Sequence, residues 1–343
     1  MASNKQKGRK VAIVGATGAV GEVLLRVLEA RKFPVGVLRP LASERSVGTT
    51  IRFRGEQIPV ELAQPDAFEG VDFVFFAATG ELSRTLAPEV AKRGGVAIDK
   101  SATWRMHADV PLVIPEVNGA AVEKHKGIIA SPNCTTTPFV MALEPLRRLA
   151  PLRRAVVTTF QAVTGAGLPG LEELEGQQRA LHEQRPLPKP EKFASQIVNN
   201  VVPLCETFLP DDAYSTEEVK LLFETRKIMD VPAFEVAMTC VRVPVPVGHS
   251  MSVLLETERP IAPDEARRAL AAFPGVIVMD DPAHNVFPTP ADATGRDEVF
   301  VGRIRRDLTS ERLWLWVVGD NLRKGAATNA VQIAEELMRR SVR

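Results

Sequence analysis

A cysteine delivered to the start of a helix is the first residue of this chain that could do chemistry. In Gly127-Ile-Ile-Ala-Ser-Pro-Asn-Cys134-Thr-Thr-Thr-Pro138 a short apolar run ends in Ser131-Pro132-Asn133, and a helical pattern follows through Phe139-Val-Met-Ala-Leu. A sulfur placed there meets unpaired backbone N–H groups and the positive end of the helix dipole, which favour thiolate over thiol. The competing reading is a buried structural cysteine, against which stand the polar Asn133 and Thr135 to Thr137 around it. His249 ends Arg242-Val-Pro-Val-Pro-Val-Gly-His249, close enough in the chain to share a site with Arg242. Counting by twos puts Arg242 on the strand face of Phe234, Val236, Met238 and Cys240, and an arginine at the end of an apolar face needs an anion, from protein or substrate. For His249 taken alone, a satisfied structural histidine is the competing reading.

The second chemistry is nucleotide binding. Lys10-Val-Ala-Ile-Val-Gly15 runs into Gly15-Ala-Thr-Gly18-Ala-Val-Gly21, after which Val20, Val23, Leu24, Val27 and Leu28 recur at helical spacing. Strand, glycine turn and helix in that order let a backbone approach a pyrophosphate at a helix N-terminus, although GxxGxxG replaces the standard GxGxxG. The next strand ends in Ser43-Glu44-Arg45-Ser46. Arg45 with Ser43 and Ser46 suits a 2'-phosphate and favours NADP, while Glu44 as a ribose acid is the alternative that favours NAD. Arg105, beyond Ala102-Thr-Trp104, reads as a surface arginine or an anion site.

These residues require particular elements to hold them. Asp72–Thr79 and Val96–Ser101 read as strands about a helix from Glu81 to Arg93, an alternation that predicts a Rossmann-type, doubly wound parallel sheet. Beyond residue 155 the pattern changes to long strands with fewer helices, which predicts an α+β domain with a largely antiparallel sheet. Ser215-Thr-Glu217-Glu218 reads as a capping box, with Glu217 and Lys220 as an ion pair on the helix surface. Gln184 to Pro190 reads as an exposed loop, and Gly325 to Arg340 as a last amphipathic helix. The expected division is 1–133, 134–322 and 323–343, the last segment returning to the first domain.

Composition bounds the function. With 343 residues, 45% hydrophobic, and Lys+Arg 43 against Asp+Glu 42, the chain has material for two cores and no charge excess that asks for nucleic acid or a membrane. Cys134, Cys205 and Cys240 show no metal or disulfide spacing, which suits a reducing cytoplasm and no metal. The basic N-terminus is followed by too short an apolar run for a leader, and no run is long enough to span a membrane.

Gly15 to Gly21, Ser131-Pro-Asn-Cys-Thr-Thr136, Phe160-Gln-Ala-Val-Thr-Gly-Ala-Gly167, Glu217-Glu-Val-Lys220, Arg242 to His249 and Gly319-Asp-Asn-Leu-Arg-Lys-Gly-Ala-Ala327 together resemble the bacterial aspartate-semialdehyde dehydrogenases, in order and over nearly the whole chain. Thr164 stands where serine is expected, and Ala78-Thr-Gly80 replaces a glycine-richer turn. The resemblance implies reversible conversion of L-aspartate 4-semialdehyde, phosphate and NADP+ into L-4-aspartyl phosphate, serving lysine, methionine and threonine synthesis. It implies Cys134 as nucleophile, His249 as acid/base, Asn133 with the Cys134 N–H as oxyanion donors, and Gln161 positioning the acyl group. Arg242 and Glu217 would bind the amino-acid end of the substrate, and Arg105 and Lys220 the phosphate. Thr17, Gly18, Ala19, Val20, Arg45, Ser46, Thr164, Gly165 and Asn321 would contact NADP. A homodimer, or a tetramer, through the second domain is implied as well. A sister acyl-phosphate reductase such as one for N-acetylglutamyl phosphate, a cysteine hydrolase and a non-catalytic NADP-binding protein are the other readings.

Overall fold

The computed structural model describes residues 8–341, so most of the basic N-terminal stretch lies outside the described residues. The chain divides into two units: one reaches Pro132 and resumes at Ala326, the other is Asn133–Gly325.

The first unit carries six parallel strands in the order Glu61–Leu62, Val35–Ala42, Arg9–Val14, Phe73–Phe76, Val96–Asp99, Ile128–Ala130. Its strands are short apolar runs with little alternation, as sheets buried on both faces require; Val11 to Val14 have no exposed surface. The chain winds outward from Arg9–Val14 in one direction, then returns to wind outward in the other. Strand order therefore reverses at the carboxyl ends of Arg9–Val14 and Phe73–Phe76, the position where open α/β sheets bind ligands. The last helix, Thr328–Ser341, belongs to this unit. Its Glu335 accepts both arms of Arg31 at 2.9 and 2.6 Å, and its buried Asn329 donates to Val113 O and Ser131 Oγ, each at 3.0 Å.

The second unit is built on a sheet ordered Glu235–Arg242, Leu152–Gln161, His249–Thr257, Leu313–Gly319, Val299–Arg306, Val276–Val278. The three inner pairings are antiparallel and the two outer ones parallel, so the sheet is mixed and largely antiparallel. One face buries Val157, Met251, Val253, Leu255, Leu315 and Val317 almost completely. The other leaves Val156, Phe160, Leu254, Trp314 and Trp316 partly exposed. Helix Thr136–Arg147 is buried from Thr136 to Leu146, which explains why its sequence is apolar around the whole circumference.

The α-helix expected from Gly325 begins three residues later. The side chain of Asp320 accepts Leu322 N at 2.8 Å and Arg323 N at 3.0 Å, while its carbonyl takes Gly325 N at 3.0 Å, five residues on. That spacing widens Arg323–Ala327 into a π-helical turn before the α-helix starts.

Candidate active site

Helix Thr136–Arg147 begins just after Cys134, and Asn133 organises its entry. Asn133 Oδ1 accepts Thr135 N at 2.7 Å and Thr136 N at 3.4 Å, and its carbonyl accepts Thr137 N at 3.1 Å, which satisfies donors the helix cannot. Pro138 falls in the first turn, where its missing N–H costs nothing. Cys134 is half-buried, with Sγ 3.4 Å from His249 Nε2. The N–H of Ala162 donates to His249 Nδ1 at 3.1 Å. Nδ1 is thereby an acceptor, and the proton of the neutral ring sits on Nε2, facing the sulfur. Behind the nucleophile stands Gly325, where a Cβ would lie 3.0 Å from Cys134 O and 3.1 Å from its Cβ. Cys205 and Cys240 are buried and free; burial pushes the Cys205 thiol up to about 12 and that of Cys240 upward as well. The structural-cysteine reading thus describes those two residues, and Cys134 is the one half-exposed thiol.

Helix Thr216–Met229 supplies carboxylates. Its capping box forms as the sequence predicts: Ser215 Oγ accepts Glu218 N at 3.3 Å, and Glu218 Oε2 accepts Ser215 N at 2.7 Å. Glu218 Oε1 also accepts Cys240 N at 2.9 Å, tying the helix to the edge strand. The inward stripe is Glu217, Leu221, Glu224 and Ile228, an ordinary helical face that carries two acids. Glu217, 4% exposed, is not the surface ion-pair residue expected. It accepts Asn133 Nδ2 at 3.1 and 3.0 Å, Thr135 Oγ1 at 3.3 Å and Gln161 Nε2 at 3.3 Å, with Lys220 Nζ at 3.6 Å. Lys220 also pairs with Glu206. Glu224 accepts Asn133 N at 2.7 Å. The side-chain amide expected to face an oxyanion is therefore turned to Glu217, because a buried carboxylate needs donors more urgently than empty space does.

Gln161 and Arg242 end two adjacent parallel strands in register, so their side chains emerge together, and the next strand starts at His249. Arg242 is 4% exposed and donates through Nη1 to Ala162 O at 2.7 Å, while its buried Nε has no hydrogen-bond partner among the described residues. Gly165 lies where these groups converge: a Cβ there would be 2.6 Å from Arg242 Nη1 and 3.2 Å from His249 Nε2. Thr164 Oγ1 donates to Pro246 O at 2.7 Å and accepts Asn321 Nδ2 at 3.1 Å, and Asn321 Oδ1 accepts Gly248 N at 2.9 Å. The structure therefore gathers Asn133, Cys134, Gln161, Gly165, Glu217, Lys220, Arg242 and His249 within the second unit.

In the first unit Gly15 has φ +84° and a Cβ there would fall 2.5 Å from Ala77 O, so the turn requires glycine. At Gly21 the Cβ would lie 2.2 Å from Gly15 O, which is how the helix Ala19–Ala30 packs onto the turn. Gly18 has no comparable conflict, its nearest atom being 3.5 Å away, and it leaves the N-terminus with Thr17, Ala19 and Val20 open to approach. Thr17 Oγ1 and Ser46 Oγ are 3.3 Å apart. Ser43 precedes the short turn Glu44–Ser46, and Arg45 is exposed there. Arg105 is not the surface arginine that one reading expected: 5% exposed, it donates from Nε to Ser131 O at 3.1 Å and from Nη2 to Lys100 O at 2.5 Å.

Glu224, Gly325 and Asp320 are the residues that sequence reasoning missed. Glu224 was accessible in principle, since it lies seven residues beyond Glu217 and so on the same helix face. Gly325 and Asp320 sit inside a motif that had been read for Asn321 alone. Among the described residues no group of acids, histidines and cysteines is arranged to hold a metal ion.

Residues 10–125 match the model of the semialdehyde dehydrogenase NAD binding domain, and residues 143–324 that of the semialdehyde dehydrogenase dimerisation domain. An aspartate-semialdehyde dehydrogenase of Aquifex aeolicus is 52% identical across 97% of this chain and 98% of its own length. One of Bacillus subtilis is 46% identical across 96% and 98%. Aspartate semialdehyde dehydrogenase II of Vibrio cholerae, solved in complex with ASA, superposes with a TM-score of 0.94 at 43% identity, covering 97% of this chain and 99% of that one. The half-exposed thiol beside an imidazole and the glycine turn of a nucleotide-binding sheet are what that chemistry requires, and the chain belongs to the aspartate-semialdehyde dehydrogenase family, oxidoreductases acting on an aldehyde group.

Proposed function

We propose that the chain catalyses the reversible, phosphate-dependent oxidation of L-aspartate 4-semialdehyde to L-4-aspartyl phosphate with NADP+. The observation that carries the reading is Cys134 Sγ at 3.4 Å from His249 Nε2, with His249 and Arg242 both packed close on the bare Cα of Gly165. Cys134 adds as the thiolate to the aldehyde carbon, His249 acts as acid toward the resulting oxyanion by sharing its Nε2 proton, and the Cys134 N–H also donates to that oxygen, with Asn133 shaping the turn. NADP, when bound, supplies the hydride acceptor. Phosphate then attacks the thioester carbonyl and expels the Cys134 thiolate.

Arg242 holds the substrate carboxylate, a role supported by its unpartnered, buried Nε. Glu217 meets the ammonium and Gln161 the acyl group. Lys220 and Arg105 are the cations assigned to phosphate. Thr17, Gly18, Ala19 and Val20 at the helix N-terminus suit the pyrophosphate, and Arg45 with Ser43 and Ser46 the 2'-phosphate; Thr164, Gly165 and Asn321 are read as further nucleotide contacts. The open sheet face with Phe160, Leu254, Trp314 and Trp316, together with the description of the matched domain, supports a homodimer. The three cysteines, none of them in a disulfide, suit a reducing cytoplasm, and the proposed reaction would feed lysine, methionine and threonine synthesis. Nucleotide reduction should require aspartate semialdehyde and phosphate together for sustained turnover. Equal sustained turnover without phosphate contradicts the proposed reaction.

A further inference from the structure

The geometry points to Phe193 as a positioning residue that holds Arg242 ready for a carboxylate, an inference that rests on Arg242 being the carboxylate anchor. Buried beneath the protein surface, that guanidinium has no carboxylate partner among the described residues; the face of Phe193 lies over it instead, 5.9 Å from Arg242 Cζ to the ring centroid. The root of Arg242 is fixed separately, by backbone bonds exchanged with Val202 at 2.8 and 2.9 Å.

Phe193 lies just past the exposed loop Gln184 to Pro190, and helix Leu168–His182 holds its stretch down with two side chains. Gln177 Oε1 accepts Ile197 N at 3.1 Å and Val198 N at 3.0 Å. Glu173 Oε2 accepts Glu191 N at 2.8 Å and Lys192 N at 2.6 Å. Phe193 packs against the cluster formed by Val163, Leu174, Ile197 and Val198. A segment gripped at both sides of one aromatic residue presents that ring in a fixed place.

The chemistry explains why a ring stands there and not an acid. A carboxylate beside Arg242 would neutralise it and consume its N–H donors, leaving a substrate carboxylate nothing to gain. An aromatic face attracts the cation through its quadrupole, keeps the guanidinium plane oriented, and accepts no in-plane N–H. The donors at the edge of the fork, including the unpartnered Nε, stay available to an incoming carboxylate.

The test is a ratio of kcat/KM for aspartate semialdehyde over 3-aminopropanal, which lacks only the carboxylate, measured in wild type, Phe193→Leu, Phe193→Ala and Arg242→Ala. Loss of the ring face should raise the KM for aspartate semialdehyde by roughly 5- to 30-fold, the range of a desolvated cation–π contact, and lower the ratio by a similar factor. The KM for NADP+ and the rate with 3-aminopropanal should stay at wild-type values, and Phe193→Leu, which keeps most of the volume, guards against simple collapse. An unchanged ratio in both Phe193 variants while Arg242→Ala lowers it overturns the role of Phe193. Equal losses on both substrates show a merely structural residue and also overturn it. An unchanged ratio in Arg242→Ala overturns the anchor reading itself.

Discussion

Arg45 and Arg242 are assigned to two anions, and the protein treats them in opposite ways. Arg45 stands exposed on a short turn of the first unit, with no hydrogen bond or ion pair among the described residues. Arg242 is buried at a strand end of the second unit, donating to Ala162 O, covered by Phe193 and facing the bare Cα of Gly165. The difference teaches what each job demands. A nucleotide phosphate is held by several backbone and side-chain donors, so any one can be flexible and solvated. A substrate carboxylate has to fix the distance between an aldehyde carbon and Cys134, so its anchor is desolvated and its orientation decided before the substrate arrives.

Substitutions should separate the two sites by the size of their effects. The largest is expected from Gly165→Ala, whose new Cβ lies 2.6 Å from Arg242 Nη1 and 3.2 Å from His249 Nε2. A shift of about 1 Å in either group should cost about 100-fold in kcat/KM with little change in Tm; wild-type kinetics in this variant would mean that the placement of Arg242 and His249 against Gly165 does not matter to the reaction. Next comes Arg242→Lys, which replaces a fork by a point charge and should lower the acylation rate roughly 30-fold, read as the phosphate-free burst in rapid mixing. Arg45→Ala should do less, raising the KM for NADP+ about tenfold and leaving that for NAD+ unchanged. Parallel loss for both nucleotides assigns Arg45 to structure.

The smallest effect should come from Cys205→Ala. With its thiol pushed up to about 12 by burial, Cys205 stays protonated at neutral pH, and neither turnover nor alkylation should depend on it. Peptide mapping after limited alkylation at pH 7 should find the label on Cys134 alone; a label on Cys205 breaks the distinction drawn among the cysteines.

Much of this was legible before any coordinates, because local rules govern it. The glycine turn at Gly15 and the capping box of Ser215 and Glu218 each depend on residues within a few positions of one another. The alternation of strand and helix likewise predicted the parallel sheet that forms. What escaped depends on contacts across long stretches of chain. Glu217 reads as a surface partner of Lys220 until Asn133 and Gln161, 84 and 56 residues away, are found donating to it. Burial inverts the meaning of the pair, since a carboxylate among donors is a hub and one in water is not. Arg105 failed as a surface residue for the same reason: it is buried, with Nε bonded to Ser131 O, 26 residues away. The π-helical turn at Arg323–Ala327 was missed because one aspartate, Asp320, sets it through bonds that helical periodicity does not register.

The central claim is a covalent acyl group on Cys134, and the most direct measurement is rapid mixing with aspartate semialdehyde and NADP+ in the absence of phosphate, followed by intact-protein and peptide mass analysis. Wild type should give a stoichiometric burst of reduced nucleotide and an acyl adduct on Cys134. Cys134→Ala should give neither, while Lys220→Ala keeps the burst and turns over poorly when phosphate is added. A full burst in Cys134→Ala, or an adduct on any other residue, would contradict the account.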